Sequence, residues 1–310
     1  MPPFMADNLS PPASSKTLVF MRRGASTLGL WGLVCAVFVS HVSWAFLGLI
    51  GLLTVIATVE YFKMLRAAGV QCFPRFGVSL TVAYCGALYW FLAGGNSPPA
   101  ELESSAFFTA LVGAFALQLR KPVLGEESLL AVAATVLGFG YIAFLFNFAA
   151  HLLFVVPGGF EVAGRVSASG AFLLLWLLAV TKFTDMGAYI TGSLIGRHKM
   201  IPHISPAKTW EGFVGALFFA QLAGCGLFAL FRSELAFFGG WNHVIILGFV
   251  LAILAVIGDL AESVIKRALN AKDSGRMLPG IGGSLDLIDS ICFTAPALYF
   301  YLKWFLLPVA

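Results

Sequence analysis

The sequence predicts an all-α, polytopic integral membrane protein with about nine transmembrane helices and a cytoplasmic N-terminus. Three observations predict it. Only 11% of the 310 residues are charged and 59% are apolar, whereas a soluble domain carries roughly 25% charged residues. The mean hydropathy is +0.91, so too little polar surface exists to cover a globule in water. Nine predominantly apolar segments approach the roughly 20 residues that a helix needs to cross a bilayer.

Taken in order, the chain begins with a Pro- and Ser-rich stretch, residues 1–24, ending in Arg22 and Arg23. It lacks a small-residue cleavage site behind an apolar core, so it reads as a disordered cytosolic tail. Candidate spans follow near 26–40, 44–62, 76–94, 105–119 and 128–148, forming an N-terminal transmembrane region over 25–165. The first and fourth are short. Four more, near 170–192, 211–231, 243–262 and 286–307, form a C-terminal region over 166–310. Assigning the loops alternately to two sides places 15 of the 19 Lys and Arg on one side and three on the other, with Lys182 inside a span. Such a bias marks the cytosolic side and agrees with nine crossings, N-terminus inside and C-terminus outside. GGNSPP at 94–99 and VVPGGF at 155–160 fall in outer loops, where turns are expected. No internal repeat is evident.

The net charge of +4 is spread over many loops without a basic run, which gives a nucleic-acid partner no support. The five cysteines lie mostly inside apolar segments without metal-type spacing and read as small buried hydrophobes.

The chemistry gathers on the cytosolic side. Ionisable groups inside spans are expensive and face a polar cavity or one another, which singles out Lys182 and Asp185 in TKFTDMGAY and Asp259 in GDLAESVIKR. Lys182 and Asp185, at i and i+3, could equally neutralise each other as structural glue. At 100° per residue, Asp259, Glu262, Ser263, Lys266 and Arg267 share an arc of about 140°. Carboxylates deep and cations shallow suit a metal ion holding a phosphate chain, although Arg267 alone is equally a snorkelling helix-end residue. Asp286 and Asp289, i and i+3 in the first turn of the last span, project from one side. One aspartate would serve as a cap; two suggest a cation, and sparse carboxylate ligation fits Mg²⁺ in a nucleotide enzyme better than a Ca²⁺ cage. In PGIGG at 279–283 the glycines, Gly282 and Gly283 among them, let backbone amides approach an anion, though glycines in loops more often serve the turn.

SVIKRALNAKDSGRMLPGIGGSLDLID, Ser263 to Asp289, resembles the SxxKRxxxxKDxGxxxPGHGGxxDRxD pattern of the CDP-diacylglycerol synthase (phosphatidate cytidylyltransferase) family. DMGAYITGSLIGRHKMIPHISPAKTWEG, Asp185 to Gly212, is similar to the family's DxxAYxxGxxxGxxxxxxxISPxKTxEG. Two long patterns in the right order are far more specific than one short motif. They cover roughly the C-terminal 40% of the chain, and EYFKM at 60–64 adds a weak match. Two departures stand out: Ile281 where the family has His, and Leu287 where it has Arg.

The resemblance implies transfer of a cytidylyl group from CTP to phosphatidic acid, giving CDP-diacylglycerol and pyrophosphate; the compact length and lack of a targeting signal point to a bacterial inner membrane. The resemblance also implies Mg²⁺, with a second cation left open, on Asp259 and Asp286 with Asp289 in support. Lys266, Arg267 and Lys272 would bind triphosphate oxygens, and Ser205, Lys208 and Thr209 nucleotide or lipid phosphate. Lys182 and Asp185 would line the cavity floor, with Asp273, Gly282 and Gly283 completing the substrate site. Arg276 or His203 could stand in for the missing side chains. Glu211 reads as a helix-start residue and Tyr189 as packing. The implied partners are CTP, phosphatidic acid and membrane lipid; a homodimer is left open. Two other functions fit part of the pattern. A CTP-dependent polyprenol kinase would attack the γ-phosphorus instead, and a transporter would run its path past Lys182 and Asp185 but leave the cytosolic charge cluster unused.

Overall fold

In a computed structural model the described residues are 29, 32–156, 158, 164–275 and 282–307. Of the features read from the sequence, the 1–24 tail, Arg276 and Ile281 lie outside them. The chain is built of helices α1 (32–40), α2 (Ser43–Ala67), α3 (Pro74–Ala93), α4 (Glu101–Gln118), α5 (Glu126–Gly138), α6 (Phe148–Val155), α7 (Ala168–Ile195), α8 (Trp210–Leu230), α9 (Trp241–Ala268) and α10 (Ser284–Tyr301). A hairpin of two short strands, β1 (Lys199–Ile201) and β2 (Ser205–Thr209), joins α7 to α8.

Among the described residues seven helices are long and apolar enough to cross a membrane. They coincide with seven of the nine expected spans. The first, 26–40, lies partly outside the described residues, of which 32–40 are helical. The fourth, α4, has 18 residues but is polar at its ends, where Glu101, Glu103 and Gln118 lower its hydropathy. It still exposes Phe108, Leu111, Val112 and Phe115.

The fifth expected span is longer than read, Glu126–Val155, because α5 and α6 are joined through a π-helical segment, Phe139–Phe144. Buried Asn147 explains why the interruption is tolerated. Its amide donates to the Ala143 carbonyl at 2.6 Å and its Oδ1 accepts from Tyr89 Oη at 2.5 Å, so the polar groups find partners inside the bundle.

The helices α7, α8, α9 and α10 pack on one another, and α2 and α6 pack against α10 from the N-terminal half. Trp176 in α7 is fully buried and donates its indole N–H to the Gly224 carbonyl of α8 at 2.9 Å. Gly258 sets the approach of α9 to α10. A Cβ there would lie 2.8 Å from the Asp289 carbonyl oxygen and from Ser290 Cα, closer than carbon and backbone atoms tolerate. With glycine the two backbones nearly touch, and residue 259 is delivered beside residue 289.

At 1.5 Å per residue, Asp185 and Asp259 each lie about 26 Å from the start of their helices. That depth approaches the far edge of a hydrocarbon layer about 30 Å thick. The ends of α7 and α9, the hairpin, and the starts of α8 and α10 therefore meet at one end of the bundle, and the end of α2 joins them through Glu60.

Candidate active site

Three carboxylates converge at that end. One oxygen each from Asp259, Glu262 and Asp289 lies within 4.8 Å of the other two. The first two are a helical turn apart on α9, and Asp289 is brought across by the close passage at Gly258. Glu262 is 1% exposed and Asp289 5%, so these charges are screened little by solvent.

Three lysines surround the trio. Lys208, at the end of the hairpin, reaches Asp259 Oδ2 at 2.8 Å and donates to the Val256 carbonyl at 3.3 Å. Lys266 bridges Glu262 at 2.5 Å and Asp286 at 2.7 Å. Lys182 lies 3.6 Å from Asp185 and donates to the Leu287 carbonyl at 3.1 Å. The Lys182–Asp185 pair is thus real, yet it also ties α7 to α10 beside the trio. With all groups ionised, five carboxylates face three lysines, a formal excess of two negative charges. Glu262 Oε1 is buried without a hydrogen-bond partner among the described residues. An unpartnered carboxylate oxygen in an acidic trio, within a five-carboxylate cluster that carries two uncompensated negative charges, fits a divalent cation.

Asp286 faces α9 from the same side of α10 as Asp289, as its spacing suggests, with Lys266 as its partner there. It lies at the third residue of α10, where its Oδ2 accepts from the Gly283 N–H at 3.0 Å and from Ser274 Oγ at 2.7 Å. It caps the helix, anchors the preceding loop and holds Lys266, and it lies outside the trio. Gly283 is required for this turn: a Cβ there would come within 1.9 Å of Ser274 Oγ. Gly282 adopts φ +119°, a conformation suited to glycine.

Beside the trio is a cavity of about 460 Å³, within the range of small-molecule sites. Asp185, Tyr189 and Ser193 of α7 line one wall, Lys199, Ser205 and Lys208 of the hairpin another, and Asp259 of α9 the base. The hairpin is held in place from both sides. Arg267 Nε donates to the Ile204 carbonyl at 3.3 Å. Glu211 accepts from the backbone N–H groups of Arg197 and His198, at 3.1 and 3.2 Å, and pairs with His198 Nδ1 at 2.5 Å. Thr209 is the N-cap of α8, its hydroxyl accepting from Gly212 N–H at 3.1 Å.

Of the expected site residues, the structure brings together Lys182, Asp185, Ser205, Lys208, Thr209, Asp259, Lys266, Asp286 and Asp289. Arg267 is turned to the hairpin, while Lys272 and Asp273 are exposed in the loop after α9. Sequence reading placed Glu262 on the acidic face without assigning it a ligand role. It missed Ser274, and it gave no role to Glu60, a buried acid on α2 whose Oε2 accepts from the Leu285 N–H at 3.2 Å. The EYFKM match held the signal for Glu60. Ser274 sits at a variable position of the pattern and gives no signal.

The sequence profile described as "Cytidylyltransferase family" matches residues 21–305. An uncharacterized Escherichia coli (strain K12) protein, YnbB, is 30% identical over 88% of this chain and 85% of its own length. A protein of Brucella suis named phosphatidate cytidylyltransferase is 43% identical over 43% of this chain and 47% of its own. One of the same name from Staphylococcus aureus (strain COL) is 37% identical over 57% and 68%. The profile covers nearly the whole chain and both long motifs; Asp289, Lys208 and Lys266 stand on those motifs, and Asp259 and Glu262 lie on α9 just before the second along the chain. The chain belongs to the cytidylyltransferase family and is a multi-pass membrane enzyme of the nucleotidyltransferase class.

Proposed function

We propose that the chain transfers the cytidylyl group of CTP to phosphatidic acid, giving CDP-diacylglycerol and pyrophosphate, at the cytosolic face of a bacterial inner membrane. The observation that carries this reading is the junction of the acidic trio with the lysine-lined cavity at the end of membrane-crossing helices. A lipid phosphate held at the headgroup level and a water-soluble triphosphate can meet there.

In the reaction a phosphate oxygen of phosphatidic acid attacks the α-phosphorus of CTP. The bond from that phosphorus to the oxygen bridging to the β-phosphorus breaks, and pyrophosphate leaves. Two polyanions must approach, so neutralisation and positioning carry most of the rate. Asp259, Glu262 and Asp289 would hold a Mg²⁺ ion, which would supply charge neutralisation on the phosphates and on the departing pyrophosphate. Lys208 and Lys266 now sit on carboxylates. An arriving triphosphate offers them stronger acceptors, and their long flexible stems let the ammonium groups turn to it. Lys182, fixed by Asp185 and the Leu287 carbonyl, holds positive charge behind Asp185 of the cavity wall, toward the lipid phosphate. Tyr189 offers an aromatic surface on the cavity wall for the base, and Ser205 a hydroxyl for the ribose or phosphates.

The test is purified protein with phosphatidic acid, Mg²⁺ and CTP labelled at either the α- or the γ-phosphate. Label from the α-position should enter the lipid, with one pyrophosphate released per lipid and activity abolished by EDTA. Entry of γ-label instead would make the enzyme a lipid kinase, and no CTP consumption would point to a transporter.

A further inference from the structure

A second cavity, of about 630 Å³, lies between the turn joining α2 to α3 and the end of α4. Its rim carries Arg66, Arg75 and Lys121. Among the described residues none of the three lies within ion-pair distance of a carboxylate. Lys121 is held over the Phe73 ring, 4.8 Å from its centre. Arg66 and Lys121 line the same cavity as Cys72, whose thiol burial pushes up while the two cations pull it back. The N-terminus of α3, opening at Pro74, adds its partial positive charge. Besides these residues the lining carries the apolar side chains of Phe76 and Leu117. Arg66 is little more than a turn beyond Glu60, which contacts the start of α10. The cavity therefore opens at the same membrane face as the active site.

We propose that this cavity is a binding site for the phosphate headgroup of an anionic phospholipid, separate from the catalytic cavity. Three cations with no carboxylate in ion-pair distance among the described residues would hold the phosphate, the arginines by paired N–H donors, while the first acyl carbons lie against Phe76 and Leu117. Basic pockets between membrane helices are suited to such headgroups. A soluble phosphate would use the same cations but gain nothing from the apolar lining.

The intact protein in neutral detergent would be treated with N-ethylmaleimide, and modification of Cys72 followed by peptide mass spectrometry. Dioctanoyl phosphatidylglycerol should slow Cys72 modification at least threefold, and dioctanoyl phosphatidylcholine should not. In the Arg66→Gln/Lys121→Gln variant protection should vanish with CTP turnover retained. Equal protection by inorganic phosphate alone, or by phosphatidylcholine, overturns the lipid assignment. Absence of protection in the wild-type chain, or its persistence in the double variant, overturns the site.

Discussion

Glu262 and Asp286 differ in what their neighbours ask of them. The carboxylate of Asp286 has a helix N-terminus, a serine hydroxyl and a lysine as partners, whereas one oxygen of Glu262 has none among the described residues. A buried acid left in that state is costly unless something binds it. Asp289→Asn and Glu262→Gln should therefore lower kcat by about 100-fold or more and weaken the Mg²⁺ dependence, with the protein still folded; near-normal turnover in both would remove the trio from catalysis. Asp286→Asn should also lose activity, but with a lower Tm, because it removes a cap and a partner of Lys266, worth about 1 to 3 kcal/mol together. Cys225→Ala, at a half-buried thiol whose contact is a distant Gln221 amide oxygen, should leave both turnover and Tm nearly unchanged. The sequence made Asp259 and Asp289 legible because an acid within a span has few structural excuses. It could not rank Asp286 against Glu262, since i,i+3 spacing fixes a shared face but not which carboxylate the cap consumes.

At the scale of elements, the site depends on how closely α9 and α10 pass. Gly258→Ala adds one methyl group where 2.8 Å is available, and overpacking of this kind costs about 1 to 3 kcal/mol. The expected outcome is a lower Tm together with a raised Mg²⁺ requirement, since the shift separates Asp259 from Asp289. A fall in Tm with unchanged Mg²⁺ dependence would show that the trio does not need this spacing. The hairpin between α7 and α8 was beyond periodicity arguments. Its strands have three and five residues, too few to show alternation, and its position depends on distant partners, Arg267 and Glu211. The long apolar helices were legible for the opposite reason: each repeats one physical demand, lipid outside and packing inside, over twenty or more residues. α4 was legible as the short fourth span because its middle is apolar, while its polar ends lower the hydropathy of the helix as a whole.

For the whole molecule, chain direction makes a prediction about sidedness. The end of α2 meets the start of α10 at the active-site face, through Glu60 and Leu285. α3 then leads away from that face, so the turn at 94–100 must lie at the opposite one, while the hairpin stays at the site. Polar groups would otherwise have to be carried through the hydrocarbon layer at several kcal/mol each. In a Cys35→Ala/Cys72→Ala background, which removes an exposed and a half-exposed thiol, Ser97→Cys and Lys199→Cys both place a new one at an exposed position. An impermeant maleimide should reach Lys199→Cys only from the side that receives CTP and Ser97→Cys only from the other, in right-side-out and inverted vesicles alike. If the two label from one side, α3 does not cross and the N-terminal half lies differently against the bilayer. If they label from opposite sides with Lys199→Cys facing the cytosol, the loop-charge bias has assigned the orientation correctly, and the enzyme draws its nucleotide from the compartment where CTP is made.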